Sequence, residues 1–134
     1  MTPTPSRLSL VVHPGEYTVA RLGPDAPTPS WAVDQPAGLV SLTRTPAELS
    51  IVCPTDCVPP EVRAERGWRL LEVEGPLPFE MTGVLASIAD PLAEEGVNIF
   101  VISTFETDFI LVPDRRFDHA IASLLLAGHS VQHV

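Results

Sequence analysis

The stretch VISTFETDFILV, residues 101–112, is apolar at both ends and polar in its middle. Each end has the composition of a strand that packs into a core. The six residues between the ends, Ser103 to Asp108, are polar and partly acidic around a single aromatic, Phe105. The pattern predicts two strands joined by a turn, and it leaves open whether that turn is also a binding site.

In the second half of the chain, residues 67–134, the first helix is expected from Thr82, which can cap it, to about Glu95. Gly96 is suited to end it in the left-handed conformation, which costs glycine little. Its apolar residues recur at spacings of one, three and four, which is typical of a helix with one buried face. They are Val84, Leu85, Ile88 and Leu92, and Pro91 lies inside the helix.

A second helix follows Asp114, a candidate cap, and closes at Gly128. Its apolar stripe is Phe117, Ile121, Leu124 and Leu125. Strands are expected at residues 68–73, 97–103, 108–113 and 130–134. The resulting order β-α-β-β-α-β favours a ferredoxin-like sandwich over residues 67–134, with antiparallel strands in the order 4-1-3-2.

The first half of the chain, residues 1–66, is poorer in helix. Hairpins are expected between residues 8–12 and 17–22 and between residues 39–43 and 49–53, with a short helix at 58–66 and one helical turn at 45–48. We interpret this half as a degenerate second copy of the sandwich. The first hairpin suggests a permuted order with the fourth strand placed first. The predicted fold is therefore α+β, with two ferredoxin-like βαββαβ units, the N-terminal one helix-poor.

Composition narrows the classes of function. The chain has 134 residues, 45% of them hydrophobic, and a net charge of −9. That charge repels nucleic-acid backbones and anionic membrane surfaces, so neither is an expected partner. The sequence has no apolar run long enough to span a bilayer and no signal-peptide pattern, so a cytoplasmic location is expected.

Neither a metal site nor a cofactor is expected from the candidate ligands. Cys53 and Cys57 lie four residues apart without further ligands nearby in sequence, and the four histidines show no ligand spacing. The chain also lacks a G-x-S-x-G motif and a glycine-rich phosphate loop. We therefore predict a protein that is not an enzyme; the open catalytic alternative is His129 or His133 acting with a nearby carboxylate.

The segment VEGPLPFEMTGVLASIADPLAEEGVNIFVIST, residues 73–104, resembles an ACT domain, a small regulatory module that binds amino acids. Together with STFETDFILV and with GLVSLTRTPAELSIVCP in the first half, it is similar to bacterial tandem-ACT proteins related to the cytosolic arginine sensors of animal cells. The resemblance extends from about Leu8 to Val134. It implies two ACT units without a catalytic domain.

The resemblance also implies an amino acid bound at an interface between ACT units, a homodimer, and a regulated protein that the sequence does not identify. A bound amino acid needs donors for its carboxylate, which a helix start supplies, and acceptors for its ammonium. The residues expected to serve it are Met81, Thr82, Gly83, Val97, Asn98, Ile99, Thr104, Phe105 and Asp108, with Asp108 facing a ligand cation. The alternative is a protein–protein interaction module without a small ligand.

Overall fold

The computed structural model of the chain describes residues 7–34, 37–78 and 82–134. The strands within these residues are β1 (Ser9–Val12), β2 (Tyr17–Leu22), β3 (Ser41–Arg44), β4 (Leu49–Pro54), β5 (Ala64–Val73), β6 (Phe100–Ser103), β7 (Asp108–Pro113) and β8 (Ser130–His133). The helices are α1 (Ser30–Val33), α2 (Val84–Glu94) and α3 (Phe117–Leu126), with 3-10 turns at Thr55–Cys57 and Asp114–Arg116. No helix in these described ranges is long and apolar enough to cross a membrane.

The contacts divide the chain into two compact units. The N-terminal unit is Gly15–Trp68, and the C-terminal unit combines the described residues up to Pro14 with Arg69–Val134. Strand β5 therefore contributes its first half to one unit and its second half to the other. The division falls close to the expected boundary after residue 66, but residues 7–14 group with the C-terminal unit.

The sheet of the C-terminal unit has the strand order β6-β7-β5-β1-β8. Strand β1 is antiparallel to β5, with Leu10 opposite Val73, and parallel to β8, with Leu10 opposite Val131. The predicted adjacency of the last strand and β5 is wrong, because β1 lies between them. Strands β6 and β7 form the predicted hairpin, with Ser103 opposite Asp108.

The predicted hairpin of residues 8–12 with 17–22 is also wrong, and the permuted order loses its support. Strand β1 pairs with β5 and β8, whereas β2 pairs with β4 and β5. Pro14-Gly15 can form a local turn. The pairing partners of a strand depend on how the faces of the sheet pack, however, and local turn residues do not determine that packing. Here β2 gains a six-residue ladder with β4.

The N-terminal unit contains the strands β3, β4 and β2 and the first half of β5, in that order. Strands β3 and β4 confirm the second predicted hairpin, with Leu42 opposite Ile51. The short helix expected at 58–66 is wrong, because the chain only turns at Pro59, where its carbonyl accepts from the Val62 N–H, and Ala64 already pairs with Ala20. At residues 45–48 the Thr45 hydroxyl accepts the Ala47 and Glu48 N–H groups in a turn, where one helical turn was expected.

In the C-terminal unit, α2 and α3 pack on one face of the sheet around a continuous apolar core. Leu10, Val73, Ile88, Val112 and Leu124 are among its buried members. The predicted stripe of α2 is confirmed for Val84, Ile88 and Leu92, whereas Leu85 is 39% exposed. In α3, Phe117 and Leu124 are buried as predicted, and Leu125 is 51% exposed.

The helix ends agree with the sequence in part. Gly96, with φ of 70°, ends α2 as predicted, and Gly128, with φ of 99°, ends α3. The cap predicted at Thr82 is wrong, since the cap position is Gly83 with φ of 79°. The cap predicted at Asp114 is wrong as well, because a 3-10 turn occupies residues 114–116 and α3 begins at Phe117.

Candidate functional site

A cleft of about 310 Å³ lies in the C-terminal unit, between the start of α2 and the turn that joins β6 to β7. Its described lining comes from three pieces of chain: residues 77–78 after β5, residues 83–85 at the start of α2, and residues 103–108 around the turn. The polar interruption in VISTFETDFILV is therefore both a hairpin turn and one wall of a cleft.

The turn is closed by its own threonines. The backbone N–H and the hydroxyl of Thr104 both donate to the Thr107 carbonyl, at 2.9 Å and 3.0 Å. Beyond this turn, Ser103 and Asp108 form the last pair of the β6–β7 ladder. The turn therefore has a defined conformation, and Asp108 is held at the first position of β7.

The same turn is attached to the segment that follows β5. The Leu77 N–H donates to the Glu106 carbonyl at 2.8 Å, and the buried hydroxyl of Thr107 donates to the carbonyl of Val73, the last residue of β5. Gly75 lies against this contact, since a Cβ there would be 3.2 Å from the Glu106 oxygen. Two of the three lining pieces are thus joined directly by hydrogen bonds.

The helical wall begins at Gly83, which has no side chain to obstruct backbone groups at the helix start. The N–H groups in the first turn of any α-helix lack intrahelical acceptors, and the helix dipole favours negative charge there. In α2 these include the N–H groups of Val84 and Leu85, which belong to the lining. The partly exposed Leu85 side chain adds apolar surface to this wall.

The described lining of the cleft is acidic. The described lining contains two carboxylates, Glu106 and Asp108, and no basic side chain. Asp108 is half-buried and Glu106 is exposed. Phe105, which precedes Glu106 in the turn, also lines the cleft and is 83% exposed. The cleft therefore combines acceptors for a cation, donors for an anion and apolar surface.

The predicted site residues divide into three groups. Gly83, Thr104, Phe105 and Asp108 all line the cleft. Thr82 is exposed and does not belong to the lining. Met81 lies outside the described residues.

Val97, Asn98 and Ile99 were expected in the site and do not line the cleft. The Val97 N–H donates to the Leu92 carbonyl at 2.9 Å, as in a helix end closed by a left-handed glycine, and its side chain is 4% exposed. Ile99 packs against the core and Asn98 is exposed. Strand β6 accordingly begins only at Phe100, and a ligand role for these three residues stays a prediction.

Several lining residues were not among the predicted site residues. Leu77, Leu85 and Thr107 are the clearest of them. The sequence offered one usable signal: Leu85 is an extra apolar residue beside the three that suffice for the buried stripe. Nothing in the pattern indicated that Thr107 would be 8% exposed and bonded to β5.

The thiols and the remaining histidines give no support to the catalytic alternative. Burial raises the pKa of Cys53 to about 11, with a further contribution from Cys57, and burial also raises the pKa of Cys57. Thiols with raised pKa values are poor nucleophiles. His129 is 4% exposed and both ring nitrogens bond backbone groups, while His133 lies edge-on to Phe117.

Comparison with known families places this fold. Residues 63–125 match the family model described as the ACT domain. Residues 63–125 belong to the ACT-domain family. A separate model of an N-terminal domain matches residues 15–61 of this ACT-domain protein. The predicted mixed fold with ferredoxin-like units is confirmed by this membership and by the solved structures below.

A curated relative of this ACT-domain protein is the cytosolic arginine sensor for mTORC1 subunit 1 of Mus musculus. The two are 34% identical over 94 residues, which are 69% of this chain and 28% of the sensor. The chain therefore spans less than a third of the length of that relative. Both findings confirm the predicted resemblance to ACT-domain proteins and to the arginine sensors.

Two solved structures are informative. A protein of Agrobacterium tumefaciens is 40% identical, with a TM-score of 0.89 over 96% of this chain and 94% of that chain. The regulatory subunit of aspartate kinase from Thermus thermophilus has a TM-score of 0.59 at 14% identity, over 85% of this chain and 93% of that chain. The second likeness shows a shared fold.

Proposed function

We propose that this ACT-domain protein is a non-enzymatic regulatory protein of the cytoplasm that binds an amino acid in the cleft between α2 and the β6–β7 turn. One observation carries the proposal. A half-buried carboxylate, Asp108, and the start of an 11-residue helix line the same small cleft.

An amino acid matches this arrangement group by group. Its carboxylate would accept from the N–H groups of Val84 and Leu85 in the first turn of α2, assisted by the helix dipole. Its ammonium or a cationic side chain would pair with Asp108, and Glu106 adds negative charge nearby. Its aliphatic atoms would pack on Leu77 and the exposed surface of Leu85. The cleft volume of about 310 Å³ is suited to a ligand of this size.

Regulation requires that the ligand bind one arrangement of the protein better than another. Only this difference in affinity can shift the population toward a state that a partner recognises. We place the ligand at an interface between ACT units and expect a homodimer, as the family resemblance implies. The lining described here belongs entirely to the C-terminal unit.

The proposal is tested by a thermal-shift screen against the twenty amino acids at millimolar concentration. L-arginine is tried first, since the mouse relative is named an arginine sensor. A ligand that binds only the folded state raises the melting temperature. Asp108→Asn removes the charge without a large change of shape, and Asp90→Asn removes an exposed charge of α2 as a matched control.

A stabilising amino acid whose effect survives Asp90→Asn and is reduced by Asp108→Asn supports the proposal. The second candidate, an interaction module without a ligand, is favoured by the exposed leucines at the end of α3, of which Leu126 is 88% exposed. No shift with any amino acid, together with a partner whose binding is weakened by Leu126→Ser, would favour that candidate.

A further inference from the structure

His129 occupies a position that the binding chemistry does not explain. It follows Gly128 at the end of α3, where its N–H donates to the Leu124 carbonyl at 3.1 Å and the Gly128 N–H donates to the Leu125 carbonyl. These two bonds close the helix in the usual glycine-terminated way and fix the backbone of His129. The side chain is then directed into the unit, where it is 4% exposed.

Both ring nitrogens of His129 bond to backbone groups. Nε2 lies 2.8 Å from the Ser87 carbonyl of α2, and Nδ1 lies 3.0 Å from the Leu8 nitrogen, just before β1. A carbonyl can only accept and a backbone N–H can only donate. The ring is therefore neutral, with its proton on Nε2, and in this form it satisfies one buried group on each of two elements.

The Ser87 carbonyl is available because of Pro91. In a regular α-helix that carbonyl would accept from the N–H of residue 91, and proline has none. Pro91 lies inside α2, so His129 supplies the donor that the helix lacks. The proline leaves the Ser87 carbonyl without its helical donor, and the buried histidine satisfies that carbonyl.

Ser87 is connected in turn to the wall of the cleft. Its N–H donates to the Gly83 carbonyl at 3.0 Å, and its hydroxyl donates to the Val84 carbonyl at 2.8 Å. Gly83 and Val84 both line the cleft. A single side chain therefore joins the helix start that lines the cleft to the chain entering β1.

Strand β1 is the element by which this sheet departs from the ferredoxin order, since it is inserted between β5 and β8. Its entry is held at Leu8, whose carbonyl also accepts from the Ser130 N–H at 3.0 Å. We propose that His129 couples ligand binding in the cleft to the pairing of β1 with its neighbouring strands. Ligand binding would stabilise this pairing, and the pairing would strengthen ligand binding by the same factor.

This inference rests on the proposed function, and its test uses the full chain with L-arginine, or with the amino acid from the screen that binds in its place. His129→Phe keeps a ring of similar shape and removes both hydrogen bonds. His119→Phe is the matched control, since His119 is about half-exposed and its ring bonds only to the Glu95 carboxylate among the described contacts. Affinity is measured by calorimetry, and exchange of the Leu8 amide hydrogen is measured by NMR with and without the amino acid.

Three results are expected. His129→Phe weakens binding by about fivefold or more, the lower end of typical coupling between sites, and His119→Phe does not. Added amino acid slows exchange at Leu8 in the wild type and has no such effect in His129→Phe. NMR of the ring nitrogens finds the Nε2–H tautomer.

Pro91→Ala separates coupling from a merely structural role. It restores an N–H for the Ser87 carbonyl but not the link to Leu8, so Pro91→Ala in the His129→Phe background should leave affinity weakened and Leu8 insensitive to the amino acid. Full recovery of affinity in this double variant would make the role of His129 merely structural and would overturn the inference. His129→Gln, whose amide can both donate and accept, should restore part of both effects.

Unchanged affinity in His129→Phe, with Leu8 exchange responding as in the wild type, would overturn the inference and leave the proposed function intact. If the wild-type protein binds no amino acid, the inference and the proposed function are both overturned. That result is obtained before any variant is made.

Discussion

The Leu77 N–H donates to the carbonyl oxygen of Glu106 at 2.8 Å, which joins the segment after β5 to the β6–β7 turn across 29 positions of sequence. Beside it, the Thr107 hydroxyl donates to the Val73 carbonyl. One wall of the cleft is therefore fixed before any ligand arrives. Such preorganisation lowers the cost of ordering the site on binding.

Thr107→Val should destabilise the C-terminal unit by about 1–3 kcal/mol, because it removes a buried hydrogen bond to the Val73 carbonyl. Thr104→Val is the control. Its hydroxyl donates to the Thr107 carbonyl and accepts from the Thr107 N–H at a long 3.4 Å. The carbonyl keeps the backbone N–H of Thr104 as a donor, so the cost should be under about 1 kcal/mol. Urea unfolding of both variants measures the difference; equal costs would contradict this account of the turn.

Gly75→Ala should be destabilising, because the added Cβ would lie 3.2 Å from the Glu106 oxygen, the Leu77 nitrogen and the Thr107 Cβ. Two of these are backbone atoms in the hydrogen bond described above, so relief requires the turn to shift, at a cost of about 1–3 kcal/mol. Gly23→Ala meets no atom within 4 Å and should change stability by less than about 0.5 kcal/mol. A Gly75→Ala protein as stable as Gly23→Ala would show that the turn is not held closely.

Gly38→Ala tests the N-terminal unit. Gly38 has φ of 125°, and a Cβ there would overlap the Tyr17 hydroxyl, which accepts the Leu39 N–H at 3.2 Å. Gly15→Ala is a matched control, since Gly15 also has a left-handed φ, 81°, but open space around it. Gly15→Ala should lower the free energy of unfolding by about 1–2 kcal/mol through backbone strain alone, and Gly38→Ala should lower it by clearly more. Similar melting temperatures for the two variants would contradict the packing of Tyr17 on Gly38.

Alkaline pH should destabilise the protein through Cys53. Burial, with Cys57 second, raises the pKa of Cys53 from 9.0 to about 11, so the folded state retains a proton that the unfolded state has lost between these values. The contribution to stability is complete below pH 9 and is lost as the pH rises toward 11, at up to about 1.4 kcal/mol per pH unit.

Urea unfolding across this pH range measures the slope. The sequence contains no lysine, so no lysine side chain titrates in this range. Cys53→Ala should flatten the slope, and Cys57→Ala should retain most of it. A slope that is unchanged in Cys53→Ala would assign the alkaline effect to another group.

The sequence predicted those elements whose identity depends on local pattern. Strand β7, the β6–β7 turn and the buried side of α2 follow from alternation and helical spacing within a few residues. Gly96 and Gly128 ended their helices as expected because a left-handed residue is a local requirement. The polar interruption of the opening stretch forms the predicted turn and lines the cleft, and the sequence alone left the second point open.

The errors arose where distant residues decide the structure. Strand β1 pairs with β5 and β8, and no feature of residues 8–22 distinguishes those partners from a local hairpin. Val97 was read as the start of a strand, but its N–H closes α2 on Leu92. The hydrogen bonds of Thr107 and Leu77 reach other parts of the fold, so local sequence does not indicate them. Pro91 removes a backbone donor from α2, and His129, 38 positions away, supplies the donor in its place.

The central claim is that an amino acid binds in the cleft against Asp108. Calorimetric titration of the wild type, Asp108→Asn and Asp90→Asn with the amino acid selected by the screen tests it most directly. The account predicts saturable binding to the wild type and to Asp90→Asn, with affinity about 10- to 100-fold weaker in Asp108→Asn, the worth of a hydrogen bond to a charged group. Equal affinity in all three proteins, or no heat of binding with any of the twenty amino acids, would contradict it.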